Sequence, residues 1–380
     1  MKKAFYIVWV LLVFLCIFVL IGGTFKDFAR KFIVREKRNG YTAVGFYEFT
    51  LVEDTWANIQ VHEDAPNPPL ESVDVIAFGD SFFDAKLDSP VFAVKLAQKL
   101  KRPVYNHAAF TFENPRLDFN PVDFLKSVHY RKGKRKYLIL ETVERLALIK
   151  RQYYRSGRPS SPKTNLLVRI HDGLSWRLWE ADRWVKRRVI LLNNGNEDYR
   201  YFLANNFLLY PVSRWIANVK FRWLGDIHPL VDRRYDRRSK MFFFKEEVAF
   251  NRKEKSPETL AKLADDVAEV AGKLREDYNI ELIYLIMPNK YSLYSDLVEP
   301  SYFYDGFIPK VNEMLKKKGI RSIDIYSAYM DYRHKGGKGW LYYPSNSHFA
   351  PLGMDILVDL TARGLQNEFG EKPESIHRKQ

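Results

Sequence analysis

The feature that most constrains this chain is its start, where Met1, Lys2 and Lys3 lead into AFYIVWVLLVFLCIFVLIGGTF, Ala4 to Phe25, without one charged residue. Roughly 20 apolar residues suffice for a helix to cross a bilayer, and apolarity on every face suits lipid better than a half-solvated core position. A cleaved signal peptide would have a shorter apolar stretch, about 7–15 residues, ending in a small-x-small site. Here the run passes into KDFARKFIVREKR with no such site, so residues 1–25 read as an uncleaved transmembrane anchor. Lys26, Arg30, Lys31, Arg35, Lys37 and Arg38 outnumber the basic residues ahead of the run. A strict positive-inside count therefore places the large domain in the cytoplasm.

Beyond the anchor, residues 26–70 read as a stalk and lead-in, ending in the proline-containing EDAPNPPLES. From residue 71 the pattern alternates. Val73–Phe78 is a short apolar run of the kind buried in a parallel sheet, and SPVFAVKLAQKL after it has helical spacing. RPVYNHAAF, KYLILETV, Ile280–Met287 and Ile320–Tyr326 supply four more strands. The helix before the fourth strand has Ser256 as N-cap and Pro257 at its first position, with Leu260, Leu263, Val267, Val270 and Leu274 on one stripe. Gly319 sits where the helix through FIPKVNEMLKKKG should end. Five strands alternating with helices predict an α/β domain over 71–366, a doubly wound, mostly parallel five-stranded sheet. A large insertion, about 150–255, interrupts it with basic runs and Trp176, Trp179, Trp184, Trp215 and Trp223. It reads either as a groove for an anionic sugar chain or as a segment packing its own small core. Residues 367–380 read as a disordered tail.

The formal charge of +15 calls for an anionic partner or surface, such as an anionic polysaccharide or lipid headgroups. No zinc-finger spacing, RNA-recognition signature or heptad-linked basic region points to nucleic acid. No Cys/His cluster has metal-site spacing and no glycine-rich loop has a nucleotide pattern, so neither metal nor cofactor is expected. The only cysteine, Cys16, lies in the apolar run, which excludes an intrachain disulfide.

Two motifs carry chemistry. VDVIAFGDSFFDAK runs a buried strand into Gly79-Asp80-Ser81, placing a hydroxyl at the carboxyl end of a strand, where α/β proteins gather ligands. Gly79 is expected to permit a tight turn, and a helix after Ser81 to aim its N–H groups and dipole at an oxyanion. Near the other end, YYPSNSHFAPLGMDILVDL offers His348 as the base a serine nucleophile needs, with Gly353 at the entry to the last helix. Alone, Gly-Asp-Ser is as well explained by a capping serine.

Together, a Gly-Asp-Ser strand end near the start and a His-Phe-x-x-x-Gly helix entry near the end resemble the SGNH/GDSL hydrolase superfamily, over roughly 71–365 without the insertion. The resemblance implies a flavodoxin-like sheet, Ser81 as nucleophile and His348 as base. Where the superfamily has an acid shortly before the histidine, this chain has Ser345 and Asn346; Asn346 is then the partner that orients the imidazole, with Asp324 as a fallback. Where the superfamily has an oxyanion-donating block after the third strand, this chain has Thr142-Val143-Glu144-Arg145. Arg145 either supplies positive charge to the oxyanion or pairs with Glu141 or Glu144. Asn106 and His107, in YNHAAF, fall beside the second strand's donor block. MPNKYSLY is similar to a Pro-x-Lys-x-x-x-Tyr stretch of alginate O-acetylation proteins, while the order of motifs and the single anchor are closer to the extracytoplasmic protein of teichoic-acid D-alanylation. This branch implies an extracytoplasmic, periplasmic domain on the cell membrane, partnered by a multi-spanning O-acyltransferase. The implied activity is acyl transfer, acetyl above all, to an envelope polysaccharide. An esterase using the same residues, and a catalytically silent glycan-binding scaffold subunit, are the alternatives.

Overall fold

The computed structural model describes residues 2–24, 67–84, 91–108, 115–154, 215, 219, 223, 231–236, 238–239, 241–344 and 347–369. The chain divides into two compact units, one of Met1–Thr55 with Arg158–His228, the other of Trp56–Gly157 with Pro229–Gln380. In the first, α1 spans Lys2–Thr24, and its apolar side chains from Phe5 to Ile17 are solvent-exposed. Side chains in α1 are described only over that stretch, and among the described residues no helix is long and apolar enough to cross a membrane. Trp215 and Trp223 of the insertion are exposed, while Trp176, Trp179 and Trp184, the lead-in up to residue 66 and the tail from 370 lie outside the described residues.

The second unit is an α/β domain on a five-stranded sheet in the order β2-β1-β3-β4-β5. β1 is Val75–Gly79, β2 Val104–Ala108, β3 Lys136–Val143, β4 Ile280–Met287 and β5 Arg321–Ile323. Every pairing is parallel. β1, β3 and almost all of β4 are buried on both faces, which is why they read as unbroken apolar runs rather than alternating ones. Two strand expectations shift. β1 starts and ends later than Val73–Phe78, taking Gly79 into register with Ala108. β5 is shorter than Ile320–Tyr326, because Asp324 caps a helix, its carboxylate accepting the Ser327 N–H at 3.0 Å and its hydroxyl at 2.6 Å.

Helices cover both faces. After β1 come α2 (Ser81–Asp84) and α3 (Phe92–Leu100); after β2, α4 (Pro115–Phe119) and α5 (Pro121–Ser127). α6 (Glu144–Tyr154) follows β3, and α7 (Lys245–Arg252) and α8 (Pro257–Tyr278) lead to β4. The Ser256 hydroxyl accepts the Thr259 N–H at 3.2 Å, capping α8 as expected. All five residues of the α8 stripe are buried against Leu138, Leu140 and Ile286, worth about 1.5–3 kcal/mol for each large side chain. After β4 come α9 (Lys290–Tyr294), α10 (Phe307–Lys317), α11 (Ile325–His334) and α12 (Pro351–Phe369). Gly319 takes φ +70° just past α10, a left-handed stop that a Cβ would strain.

Gly353 lies in the first turn of α12, at the helix entry as expected, and it is also needed for space. It lies buried within α12, where a Cβ would stand 2.2 Å from the Leu341 carbonyl oxygen, and its own carbonyl accepts the Tyr329 hydroxyl at 2.7 Å. Gly353→Ala is therefore expected to cost about 3 kcal/mol, the upper end for overpacking, because the obstacle is backbone and cannot rotate away. Urea unfolding of the variant against wild type checks this.

Candidate active site

The site lies wholly in the second unit, at the carboxyl end of the sheet. Adjacent strands β2 and β3 flank β1, so the connections out of the sheet diverge where β1 ends. This is the crevice position of an open α/β sheet. Asp80 and Ser81 follow β1 directly, and Ser81 is the first residue of α2. The His348 Nε2 stands 3.1 Å from the Ser81 Oγ, 267 positions away along the chain. That is hydrogen-bond reach for a nucleophile and its base.

His348 is held by a dense set of contacts. Tyr342 and Phe349 form an antiparallel bridge, the Tyr343 N–H donates to the His348 carbonyl at 3.1 Å, and the Ala350 N–H donates to Leu341 at 3.0 Å. The turn after β4 pins the same loop: the buried Lys290 ammonium donates to the carbonyls of Tyr343 at 3.1 Å and Pro344 at 2.8 Å. The Phe242 N–H donates to Pro344 as well, at 2.9 Å. MPNKYSLY thus acts here as a brace for the histidine loop. The ring of Phe82, one residue past the serine, packs 5.1 Å from the imidazole.

Burial lowers the His348 pKa to about 4; Asp80 opposes the fall, while Arg145 and Lys290 add to it. The imidazole is therefore neutral at pH 7 and ready to accept a proton, though as a weak base. Ser345 and Asn346 lie outside the described residues. The fallback partner Asp324 is occupied as the cap of α11.

Asp80 is buried, and its carboxylate takes the Lys150 ammonium at 2.8 Å and the Phe82 N–H at 3.0 Å. Burial works to raise its pKa, but Lys150 outweighs it and holds the carboxyl below its usual range. Gly79 is needed for space rather than for an unusual turn. A Cβ there would meet the Glu141 Oε2 and the Phe83 ring, each at 2.7 Å.

Two oxyanion candidates are placed differently from expectation. Arg145 pairs with neither Glu141 nor Glu144 but with the buried Glu247 of α7, at 3.2 Å. Its backbone N–H donates to the Asn289 side chain at 3.3 Å. Glu144 instead accepts the Asn289 N–H at 2.8 Å, the Ser292 hydroxyl at 2.5 Å and the Tyr304 hydroxyl at 2.8 Å, tying the start of α6 to the turn after β4. Burial pushes its pKa up to about 7 against those donors. The Asn106 amide donates to the Phe83 carbonyl at 3.4 Å, and its backbone is bonded on both sides by Asn67, so it braces the end of α2. His107 stacks between Phe78 and Phe124, and burial lowers its pKa to about 4 as well.

α2 has only four residues, so its dipole is small and its N–H groups are what matter. Those of Phe82 and Phe83 are spent on the carboxylate and carbonyl of Asp80. Among the described residues no group of histidine, cysteine and carboxylate side chains could hold a metal ion. No family model matches this chain, and no curated protein or solved structure does either. What the arrangement can do rests on its own geometry. A buried neutral imidazole stands against a serine hydroxyl whose turn is fixed by an ion pair, a set suited to acyl transfer through an acyl-serine.

Proposed function

We propose that this chain is an SGNH-type serine O-acyltransferase, acting through an acyl-serine on an envelope or extracellular polysaccharide. The observation that carries the reading is the 3.1 Å contact between His348 Nε2 and Ser81 Oγ at the end of β1. The strand order 2-1-3-4-5 is the flavodoxin-like one and supports the assignment. In the forward step the Ser81 Oγ attacks the carbonyl of an acyl donor while its proton passes to His348 Nε2. The Ser81 N–H is the donor assigned to the oxyanion, and the tetrahedral intermediate collapses as the leaving group takes the proton from His348. A sugar hydroxyl then repeats the sequence in reverse and leaves as the ester. Water in its place would make the same residues an esterase, so transfer and hydrolysis differ only in the acceptor.

The uncharged run Ala4–Phe25, with its exposed side chains from Phe5 to Ile17, supports a single-pass anchor in the cell membrane. The domain would then lie outside the cytoplasm, beside a multi-spanning O-acyltransferase that delivers acyl groups. The charge of +15 suits an anionic polysaccharide and anionic headgroups. A silent scaffold subunit is favoured by one observation, a base whose pKa burial lowers to about 4.

Asn346→Asp separates the two. In a working site it supplies a carboxylate to the imidazolium that forms during attack, and model acetyl-ester turnover should rise about tenfold, equivalent to roughly 1.4 kcal/mol of barrier. Equal background rates for wild type, Asn346→Asp and Ser81→Ala would leave the scaffold reading standing.

A further inference from the structure

We propose that Glu141, on β3, is a positioning residue for Ser81, its carboxyl clamping the Gly79–Ser81 turn from below. The inference rests on the reading of Ser81 as nucleophile and adds the part that sets its angle. Four observations converge on Glu141. It is a fully enclosed charged-type residue, 1% exposed, in a strand buried on both faces. Its Oε2 accepts the backbone N–H of Asp80, the residue before the serine, at 2.8 Å. The same oxygen fills the space beside Gly79, where no Cβ would fit. On the far side of the turn Lys150 grips the Asp80 carboxylate at 2.8 Å. The turn is therefore held by its backbone through β3 and by its side chain through α6, and Ser81 is the next residue out.

The charges around it limit what Glu141 can be. The groups facing it are Asp80 in the turn, Lys150 and Tyr154 on α6, and Tyr284 on β4, while the nearby Arg145 is already paired with Glu247. Two carboxyls thus share one ammonium. Burial first, and then the charge of Asp80, hold Glu141 well above the usual carboxylate range, which favours the neutral form of the acceptor. The sign follows directly. The unfolded chain releases this proton above the ordinary value of 4.5 and the folded one retains it, so Glu141 costs stability that grows as pH rises. A glutamine there keeps the acceptor and escapes the cost. A methionine keeps the volume and loses the acceptor.

The test uses the full chain in mild detergent, as wild type, Glu141→Gln and Glu141→Met. Deuterium exchange of the peptide covering Gly79–Asp84 reads the clamp, fluorophosphonate labelling of Ser81 reads its consequence, and melting temperatures from pH 5 to 8 read the proton. Glu141→Met is expected to exchange at least tenfold faster in that peptide and to label about tenfold more slowly. Glu141→Gln should stay protected, and its melting temperature should gain on wild type as pH rises above 4.5. A Met variant as protected as wild type, or a Gln variant with no pH-dependent gain, overturns the proposal. Should the Met variant not fold, exchange of the Gly79–Asp84 peptide in Glu141→Gln decides, and protection lower than that of wild type overturns the clamp. Wild type that never labels would defeat the nucleophile reading, while the exchange data still judge the clamp.

Discussion

His348→Ala is expected to slow acylation of Ser81 by about 10²–10⁴-fold, the usual contribution of a positioned general base. The expectation comes from the 3.1 Å contact and from the braces that hold the imidazole in one place, Lys290 beneath the loop and the Tyr342–Phe349 bridge. The residual rate belongs to the turn and the Ser81 N–H, which the substitution leaves alone. The wild-type rate should also have a distinctive pH profile. Since burial lowers the His348 pKa to about 4, the free imidazole is the dominant form from pH 8 to pH 5. Labelling should be level across that range and fall as pH approaches 4. An ordinary exposed histidine would begin to lose activity near 6.5. Rates with a fluorophosphonate probe at each pH, for wild type and His348→Ala, check both parts.

The second large effect is on acid stability. His348 and His107 are both held neutral with pKa values near 4, against 6.5 in an unfolded chain. Unfolding therefore takes up protons below pH 6.5. The stability these two histidines contribute is complete above that value and drains away as pH falls toward 4. Each is worth about 3 kcal/mol over that window, somewhat less for the partly exposed His107, so the pair approaches 5–6 kcal/mol. That is comparable with the whole stability of many domains. Glu144 works the other way. Burial pushes it up to about 7, so the fold gains from its proton as pH drops from 7 toward 4.5, offsetting part of the loss. The clean measurement is therefore a difference. Urea unfolding of wild type and a His107→Phe/His348→Gln double variant at pH 7 and pH 4 should show the wild type losing about 5–6 kcal/mol relative to the variant. A constant difference would mean that neither ring is kept neutral by the fold.

How much of this was legible in the sequence differs by residue. The parallel sheet was, because strands buried on both faces are written as apolar runs, and Val75–Gly79, Lys136–Val143 and Ile280–Met287 are all of that kind. The α8 helix was, because Ser256, Pro257 and the leucine-valine stripe each encode one local contact. The end of β5 was not. Nothing apolar distinguishes Ile325 and Tyr326 as helix, and the signal is the cap, in which the Asp324 carboxylate accepts the Ser327 N–H. Ser81 and His348 could be named from their motifs, but what holds them could not. Glu141 was noticed only as a possible mate for Arg145, and its true partner is a backbone N–H that has no sequence signature. Glu247 and Lys150 lie in and beside a segment whose rhythm breaks, 102 and 70 residues from the groups they meet. A lone glutamate inside YLILETV was the one available signal, since an unpaired carboxylate is too costly to bury in a sheet without a purpose.

The most direct test is covalent. Full-length protein in mild detergent is incubated with a fluorophosphonate probe, digested, and the adduct located by tandem mass spectrometry, beside Ser81→Ala and His348→Ala. The expected result is a single adduct on Ser81, absent from Ser81→Ala and formed far more slowly in His348→Ala, with all three proteins melting as folded domains. A folded wild type that stays unlabelled while a control serine hydrolase reacts fully would contradict a nucleophilic role for Ser81.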